Sequence, residues 1–573
     1  MPHVTDTLRA AGLAVSLAAL LAGCASSGQP VDVNIAAVND FHGNLQSNPL
    51  TYADSSAPGG KISLKAGGIE ALSGVIGQLR QSDPQLMLIS AGDMIGGSPP
   101  ISAMWADEPT LQAFNTLGLK FSVVGNHELD QGKAELLRQI NGGCDSVRPD
   151  KACQFDAHYG GTRFPYLAAN LMDSSTGKLL LPAYVIEEAH GAKIAFVGAV
   201  LRGVSRYVSA ASMNGLYTID EAEAINAQLP ELRRQGVDAV VVVIHQGGET
   251  PESFSKPDCS QLSGDLNEVV QRLDPQIKVV VSAHTHQGYL CKLGDRYVTQ
   301  GSSFGRLLTH LTLTVDPVAH RLLGVKAQNL VVDPQRYTAL PEIAALQARV
   351  EARSKAQLTK AVARIAAPEV NRKINEAGES AMGDLVADAQ LAATQSLGAQ
   401  VAFTNLGGMR TDLIMEAGQH VLNYGQVASV QPFNNTLNIL SLSGAQLLAL
   451  LEQQWQDSAF GFYPLQPSST LQYRWDASKP KGQRIIASSV RIAGAPLQLT
   501  QSYRISVNSF MADGGDNFTV LTQASERLDT GLNDLEALIS YLQRQDQAGT
   551  PAGAGAPQQR IQRVNAALAG AQP

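Results

Sequence analysis

Residues 123–130 read VVGNHELD: an apolar run ends in Gly125, and Asn126, His127, Glu128 and Asp130 follow within five positions. Each can bind a metal or move a proton. The pattern recurs along the first half of the chain. VDVNIAAVND leads to Asp40, with His42 two places on; LMLISAGD leads to Asp93; AVVVVIHQG contains His245; KVVVSAHTHQ carries His284 and His286. Asp40 and His42, two apart, share one side of an extended segment and can reach one ion. Asp93 offers two oxygens, enough to bridge two ions. Nitrogen and oxygen donors without thiolate suit Zn²⁺, Mn²⁺ or a similar divalent metal. Two such ions about 3.5–4 Å apart can clamp a phosphoryl group. His127 is either a further ligand or a free imidazole beside the metals, able to stabilise charge on a phosphoryl oxygen or to protonate a leaving group. Glu128 reads as structural.

These residues need elements that bring them together. Each group ends a run rich in Val, Ile and Ala, and helix-like stretches such as GGIEALSGVIGQLRQ and AEAINAQLPELRRQG lie between the runs. That alternation predicts an α/β domain with strands buried on both faces. In such sheets ligands bind at the carboxyl ends of the strands, where five of the 11 histidines fall. PEIAALQARVEARSKAQLTKAV then predicts a long helix joining two domains, with Pro341 in its first turn. The second half mixes helix and strand, with Ser443 a plausible N-cap.

A second set of candidates lies there. FTNLGGMRTDL, 403–413, places Asn405, Gly407, Gly408 and Arg410 in a tight turn after a short strand. Glycines let a backbone approach a ligand, and arginine binds phosphate bidentately. QPFNNTL contributes Phe433 and Asn435, and VNSFMADGGDNF contributes Phe510 and Asp516. Two phenylalanines in polar, Gly-rich loops either pin those loops to the core or sandwich a planar base.

In this order, DFHG, GD, GNHELD, the histidine after the valine run and HTH resemble the calcineurin-like metallophosphoesterases. With the second half, the chain resembles the bacterial 5'-nucleotidase/UDP-sugar hydrolase family over roughly residues 33–545. The resemblance implies an α/β fold: an N-terminal β-sandwich flanked by helices, a linker helix, and a C-terminal α+β substrate-binding domain. It implies one metal on Asp40, His42, Asp93 and His286, and a second on Asp93, Asn126, His245 and His284, with Asp93 bridging. His127, oriented by Asp130, is implied as the catalytic group. Phe433 and Phe510 would stack on the base, Asp516 would contact the ribose, and Asn405, Gly408 and Arg410 would hold the phosphate side, with Asn435 beside them. Some relatives carry a further phosphate-binding arginine ahead of the MGDLVADA-type helix; here Gly378 stands near that place, and either Arg372 compensates from a different position or the contact is absent. The implied activity is phosphate release from nucleoside 5'-monophosphates, with UDP-sugars as further substrates. Rivals are a 2',3'-cyclic-nucleotide phosphodiesterase/3'-nucleotidase, a sulfur-oxidation thiosulfohydrolase, and a non-catalytic nucleotide-binding surface lipoprotein.

Composition sets the boundaries. The chain has 573 residues, 44% hydrophobic and 16% charged, which suits two or more globular domains. A formal charge of −8 without a dense Lys/Arg block argues against a nucleic-acid polymer as partner. AAGLAVSLAALLAGC reads as an export signal whose LAGC ending resembles a bacterial lipobox. It predicts a lipid anchor on Cys24 and a place on the periplasmic face of a bacterial membrane or at the cell surface. Four cysteines remain, and an even count in an exported chain predicts disulfides; proximity favours Cys144–Cys153 and Cys259–Cys291. The expected division is a signal peptide at 1–24, a tether at 25–32, the metallophosphoesterase domain at 33–335, the linker helix at 336–363, the substrate domain at 364–546 and a low-complexity tail at 547–573.

Overall fold

The computed structural model describes residues 29–54, 57, 60–209, 211–256, 259–433, 435–456 and 461–565; Cys24 and its signal segment lie outside them. The N-terminal domain stacks two six-stranded sheets. One runs Arg321–Val331, Leu307–Asp316, Val31–Val38, Met87–Ser90, Ser122–Val123, Tyr166–Leu167 in spatial order. The other runs Gly288–Leu293, Arg296–Gly301, Val279–Ser282, Ala239–His245, Ala192–Val200, Tyr184–Ala189. The alternating side chains of Val31–Val38 explain the layers. Val33, Ile35 and Ala37 point between the sheets, where they meet Val241, Val243 and Val281 of the other sheet. Ala36 and Val38 point outward to a helical layer with Leu72 and Phe114. From Ile35 on this strand is buried on both faces and its residues, IAAV, are all apolar.

The parallel pairs are what place the site. Val31–Val38 pairs in parallel with Met87–Ser90, which pairs with Ser122–Val123. Across the sandwich, Ala192–Val200, Ala239–His245 and Val279–Ser282 are parallel neighbours. Their carboxyl ends share one edge, and the segments leaving that edge carry the candidate ligands.

The linker helix Pro341–Leu358 buries Ile343, Gln347, Val350 and Ser354, one stripe at helical spacing, against the N-terminal domain. The Trp105 indole N–H donates to Ser354 Oγ at 2.9 Å. The C-terminal domain is built on a five-stranded sheet, Gln466–Pro467, Val401–Thr404, Ser502–Asn508, Thr436–Ser443, Glu526–Asn533. Helix Ala381–Thr394 starts at the expected kind of cap, Ser380 Oγ accepting from the Gly383 N–H. Ser443 caps the helix Gly444–Glu452 with a full capping box.

The expected tail differs from expectation. Within it, Ile561–Val564 forms a strand parallel to Leu471–Asp476. The preceding Gly/Ala/Pro run lies flat on the domain, with Gly553 at positive φ so close to Val370 that a Cβ would come within 3.1 Å. Small residues that look featureless in composition are the ones able to pack this closely. Both expected cysteine pairs form disulfides, Cys144–Cys153 and Cys259–Cys291.

Candidate active site

Asp40, His42, Asp93, His284 and His286 all have positive φ, from 47° to 75°. Non-glycine residues rarely adopt this conformation, and it concentrates at functional sites. The shared reach of Asp40 and His42 therefore comes from a left-handed turn just beyond the strand. This corrects the expectation of an extended segment.

Backbone carbonyls fix the imidazoles. His42 Nδ1 donates to Gly96 O at 2.8 Å, and His245 Nδ1 donates to Ala91 O at 2.9 Å. A carbonyl only accepts, so in the neutral ring each Nε2 presents a lone pair inward. His42 Nε2 lies 3.1 Å from His286 Nε2 and 3.6 Å from Asp93 Oδ2. His286 Nε2 is 3.6 Å from Asp40 Oδ1. His245 Nε2 is 3.1 Å from both Asn126 Oδ1 and Asp93 Oδ2, and His284 Nδ1 is 3.0 Å from Asn126 Oδ1. Burial pushes the His42, His284 and His286 values down, His284 to about 3, which favours the neutral rings that can donate a lone pair. Two groups result, Asp40–His42–His286 and Asp93–His245–His284, each with donor atoms within 4.8 Å of one another. Imidazole, carboxylate and amide donors converge there, the donor set a divalent cation fits. Burial lowers the His245 value, but the Asp93 carboxylate beside it outweighs burial and raises it to about 9. Asp93 faces both groups.

His127 stands apart in its bonding. Its Nδ1 is 2.8 Å from Asp130 Oδ2, and its backbone N–H donates to Asp93 Oδ1 at 2.9 Å. It also falls in a third group with His42 and Asp93. Burial lowers its value, but the Asp130 and Asp93 carboxylates outweigh burial and raise it overall. Glu128 does hold structure. Its carboxylate accepts from the N–H groups of Asp93, Met94 and Gly125 at 2.9, 2.9 and 2.7 Å. It ties the Asp93 loop to the Asn126 loop. Glu128→Ala strands three buried donors at about 1–3 kcal/mol each. It is expected to lower thermal stability and to weaken metal binding by about 10–100-fold, read by metal titration.

The C-terminal domain closes over this edge. A cavity of about 750 Å³ is lined from one side by Asp93, Asn126, His127, His284 and His286, and from the other by Asn405, Gly408, Arg410, Phe433, Asn435, Phe510 and Asp516. The Phe433 ring stacks on His127, centroids 5.8 Å apart and planes 15° apart. Arg410 has its Nε and Nη2 buried without a hydrogen-bond partner, and its guanidinium lies 5.6 Å from the Phe304 ring. An unpaired guanidinium beside a metal-ligand cluster awaits an anion. Asn405 Nδ2 donates to Asp516 Oδ2 at 2.6 Å, and Asn508 Nδ2 donates to Asn405 Oδ1 at 3.0 Å. Gly515 lies under the Phe510 ring, where a Cβ would come within 2.5 Å. Gly408 packs as closely on Asn405 Oδ1, at 2.6 Å.

Two expectations resolve differently. Arg372 does not line the cavity; it bonds Asp412 Oδ1 at 3.2 Å and Met409 O at 3.0 Å, bracing the Arg410 turn. Gly378 faces the Phe462 ring, 2.7 Å from its Cβ position, so no side chain can reach the phosphate from there. Asn435 lines the cavity, but its amide is engaged by Asp534 at 3.3 Å and Ser509 at 3.2 Å. Burial lifts the Asp534 carboxyl from 3.8 to about 7. A folded value above the unfolded one favours folding below the unfolded value, and that advantage is lost as pH rises through about 7. Asp534→Asn is therefore expected to gain in melting temperature relative to wild type between pH 5 and pH 8.

Sequence reasoning missed Phe304, Tyr207, Asn508, Gln456 and Tyr463. Phe304 meets His42 and His286 edge-on at 5.9 and 5.4 Å, and Tyr207 meets His284 at 4.6 Å. Phe304 sits in the Gly-rich loop GSSFGRL, the same signal that picked out Phe433 and Phe510.

A helix-flanked sandwich with a His/carboxylate cluster at its parallel strand ends, capped by a second domain offering arginine and aromatic rings, defines a two-domain metal-dependent phosphoesterase. Comparison with known families agrees. Residues 33–288 match the calcineurin-like phosphoesterase domain, a class that uses divalent metals, and residues 357–523 match the 5'-nucleotidase C-terminal domain. The chain belongs to the 5'-nucleotidase family of metal-dependent hydrolases that joins these two domains. The endonuclease YhcR of Bacillus subtilis is 27% identical over 90% of this chain, which spans 40% of that protein's length. The 5'-nucleotidase of Vibrio cholerae is 24% identical, covering 93% of this chain and 95% of that one. Among solved structures, a 5'-nucleotidase precursor from Thermus thermophilus superposes with a TM-score of 0.71 at 23% identity, over 94% of this chain and all of that one.

Proposed function

We propose that the protein is an exported phosphohydrolase that uses two divalent metal ions to release phosphate from nucleoside 5'-monophosphates. The observation that carries this is the pairing of the unpartnered Arg410 guanidinium with the Phe433–His127 stack at the edge of the ligand cluster. Asp40, His42, Asp93 and His286 would hold one ion; Asp93, Asn126, His245 and His284 would hold the other. When bound, the ions act as Lewis acids on the phosphoryl oxygens and supply the nucleophile.

The protein's own groups do the rest. Arg410 neutralises the phosphate and, with the Asn405–Gly408 turn, holds it against the cluster. Phe433 and Phe510 grip the base, and Asp516 takes the ribose hydroxyls. His127, its Nδ1 tied to Asp130, presents Nε2 to the phosphoryl group and is the residue placed to protonate the departing ribose oxygen. The stack on Phe433 excludes water from that face of the ring. UDP-sugars fit the same logic, since the cavity has room beyond a monophosphate. The LAGC segment supports export and lipidation at Cys24, which would leave the enzyme on a bacterial membrane.

The test is phosphate release from 5'-AMP and 3'-AMP, with Mn²⁺ or Zn²⁺ and with chelator. Release from 5'-AMP that chelator abolishes and metal restores is the expected result. Release chiefly from 3'-AMP would place the protein with the 3'-nucleotidases instead. AMP binding without release would make it a binding protein.

A further inference from the structure

The substrate side of the cavity is assembled from three separate segments, and one hydroxyl joins them. Asn405 and Gly407 follow the strand Val401–Thr404; Asp516 follows Ser502–Asn508; Tyr463 comes from the segment between. The Gly407 N–H donates to the Tyr463 hydroxyl at 2.9 Å. The same hydroxyl donates to the Asp516 carboxylate, whose Oδ2 also accepts from Asn405 Nδ2 at 2.6 Å. Asp516 itself is held in the left-handed region at φ 53°, and Gln456 Nε2 donates to its backbone carbonyl at 2.6 Å. Gly407 has to lack a side chain, because a Cβ would stand 3.0 Å from the Tyr463 oxygen. Tyr463 is backed by Phe462, whose ring stacks on Trp455 at 5.2 Å, and its N–H donates to Gln454 O at 2.7 Å. Phe462 and Tyr463 thus both pack against the core of the C-terminal domain.

An ionised carboxylate has about four lone-pair positions. Asn405 and Tyr463 occupy two from the protein side and so fix the rotation of the group. Asp516 lines the cavity, and the two positions that remain match two adjacent hydroxyls of a ligand there. We propose that Tyr463 is a positioning residue that sets sugar selectivity: it aims the Asp516 carboxylate at a vicinal diol and ties that grip to the turn that leads to Arg410. Substrates carrying a ribose cis-diol are preferred over those without one. This rests on the nucleotide reading above.

The test compares 5'-AMP with 2',3'-dideoxy-AMP in wild type, Tyr463→Phe, Asp516→Asn and the double variant. Kinetics give kcat and KM; calorimetry on the chelator-treated protein gives Kd without turnover. Tyr463→Phe is expected to lower the selectivity ratio in kcat/KM about tenfold, with the change in KM for AMP rather than in kcat. Asp516→Asn lowers the same ratio, and the double variant adds nothing further. Equal losses on both nucleotides, an unchanged ratio, or additive effects in the double variant would overturn the assignment. Should AMP bind with diol selectivity that depends on Tyr463 yet never release phosphate, the hydrolase reading fails and the positioning role stands. Cleavage of AMP with selectivity indifferent to Tyr463 gives the reverse.

Discussion

Asp93→Asn is expected to lower kcat/KM for 5'-AMP at least about a thousandfold, about 4 kcal/mol of transition-state stabilisation. The substitution keeps size and removes charge, and the surroundings make that decisive. Asp93 Oδ1 accepts the His127 backbone N–H at 2.9 Å, so the amide oxygen of the variant takes that position. The amide NH₂ then replaces Oδ2, 3.1 Å from His245 Nε2 and 3.6 Å from His42 Nε2. It would donate to the lone pairs that the metals need and repel a cation from both groups at once. Metal content by elemental analysis should fall together with activity, while circular dichroism stays that of the folded protein. Activity within tenfold of wild type would rule out Asp93 as the bridge.

Arg560→Ala is expected to cost the C-terminal domain about 3–5 kcal/mol, the range for breaking a buried ion pair from one side. For a domain of this size that is a fall of about 10 °C in melting temperature. Arg560 is 5% exposed. Its guanidinium bonds both oxygens of Asp388, at 2.6 and 3.2 Å, and Pro467 O at 2.8 Å. Its backbone N–H and that of Ile561 donate to the Glu379 carboxylate at 3.1 and 2.9 Å. Burial already lifts Asp384, 3.4 Å from the guanidinium, to about 8 against the pull of Arg560. Without the cation, Asp388 would lose its ion pair and Asp384 its counter-charge, each keeping a backbone N–H, from Ser469 and Gln558. Differential scanning calorimetry reads the effect; an unchanged transition would mean that the C-terminal strand is an appendage and carries no load.

Arg560 also marks a limit of sequence reading. After residue 547 the sequence opens with AGTPAGAGAPQQ, a low-complexity run of mostly small residues, and the stretch IQRV, 561–564, is only four residues long. The strand exists because Leu471–Asp476 offers an edge and Glu379 offers a carboxylate, both far away in sequence. The helix capped by Ser443 was legible because caps and periodicity are local. The metal candidates were legible for a related reason: apolar runs that end in His, Asp or Asn state both the strand and its terminus. Gly378 and Arg372 were not, since the first faces an aromatic ring and the second a carboxylate that only packing brings near.

By itself the sequence determined the kinds of donor, their order along the chain and the α/β alternation that carries them to one edge. Side-chain chemistry and the two- and 3.6-residue periods are properties of short segments, so they survive without coordinates. The tertiary structure alone decided three things. It turned the Nε2 atoms of His42 and His245 inward, by placing the carbonyls of Gly96 and Ala91 behind them. It put five of the candidate metal ligands, and Asp516 besides, into the left-handed region, a strain only a surrounding fold can hold. And it laid Phe433 on His127, some 300 residues away, with Arg410 unpaired beside them. These depend on how two domains pack, a sum of many weak non-local contacts that no short stretch of residues encodes.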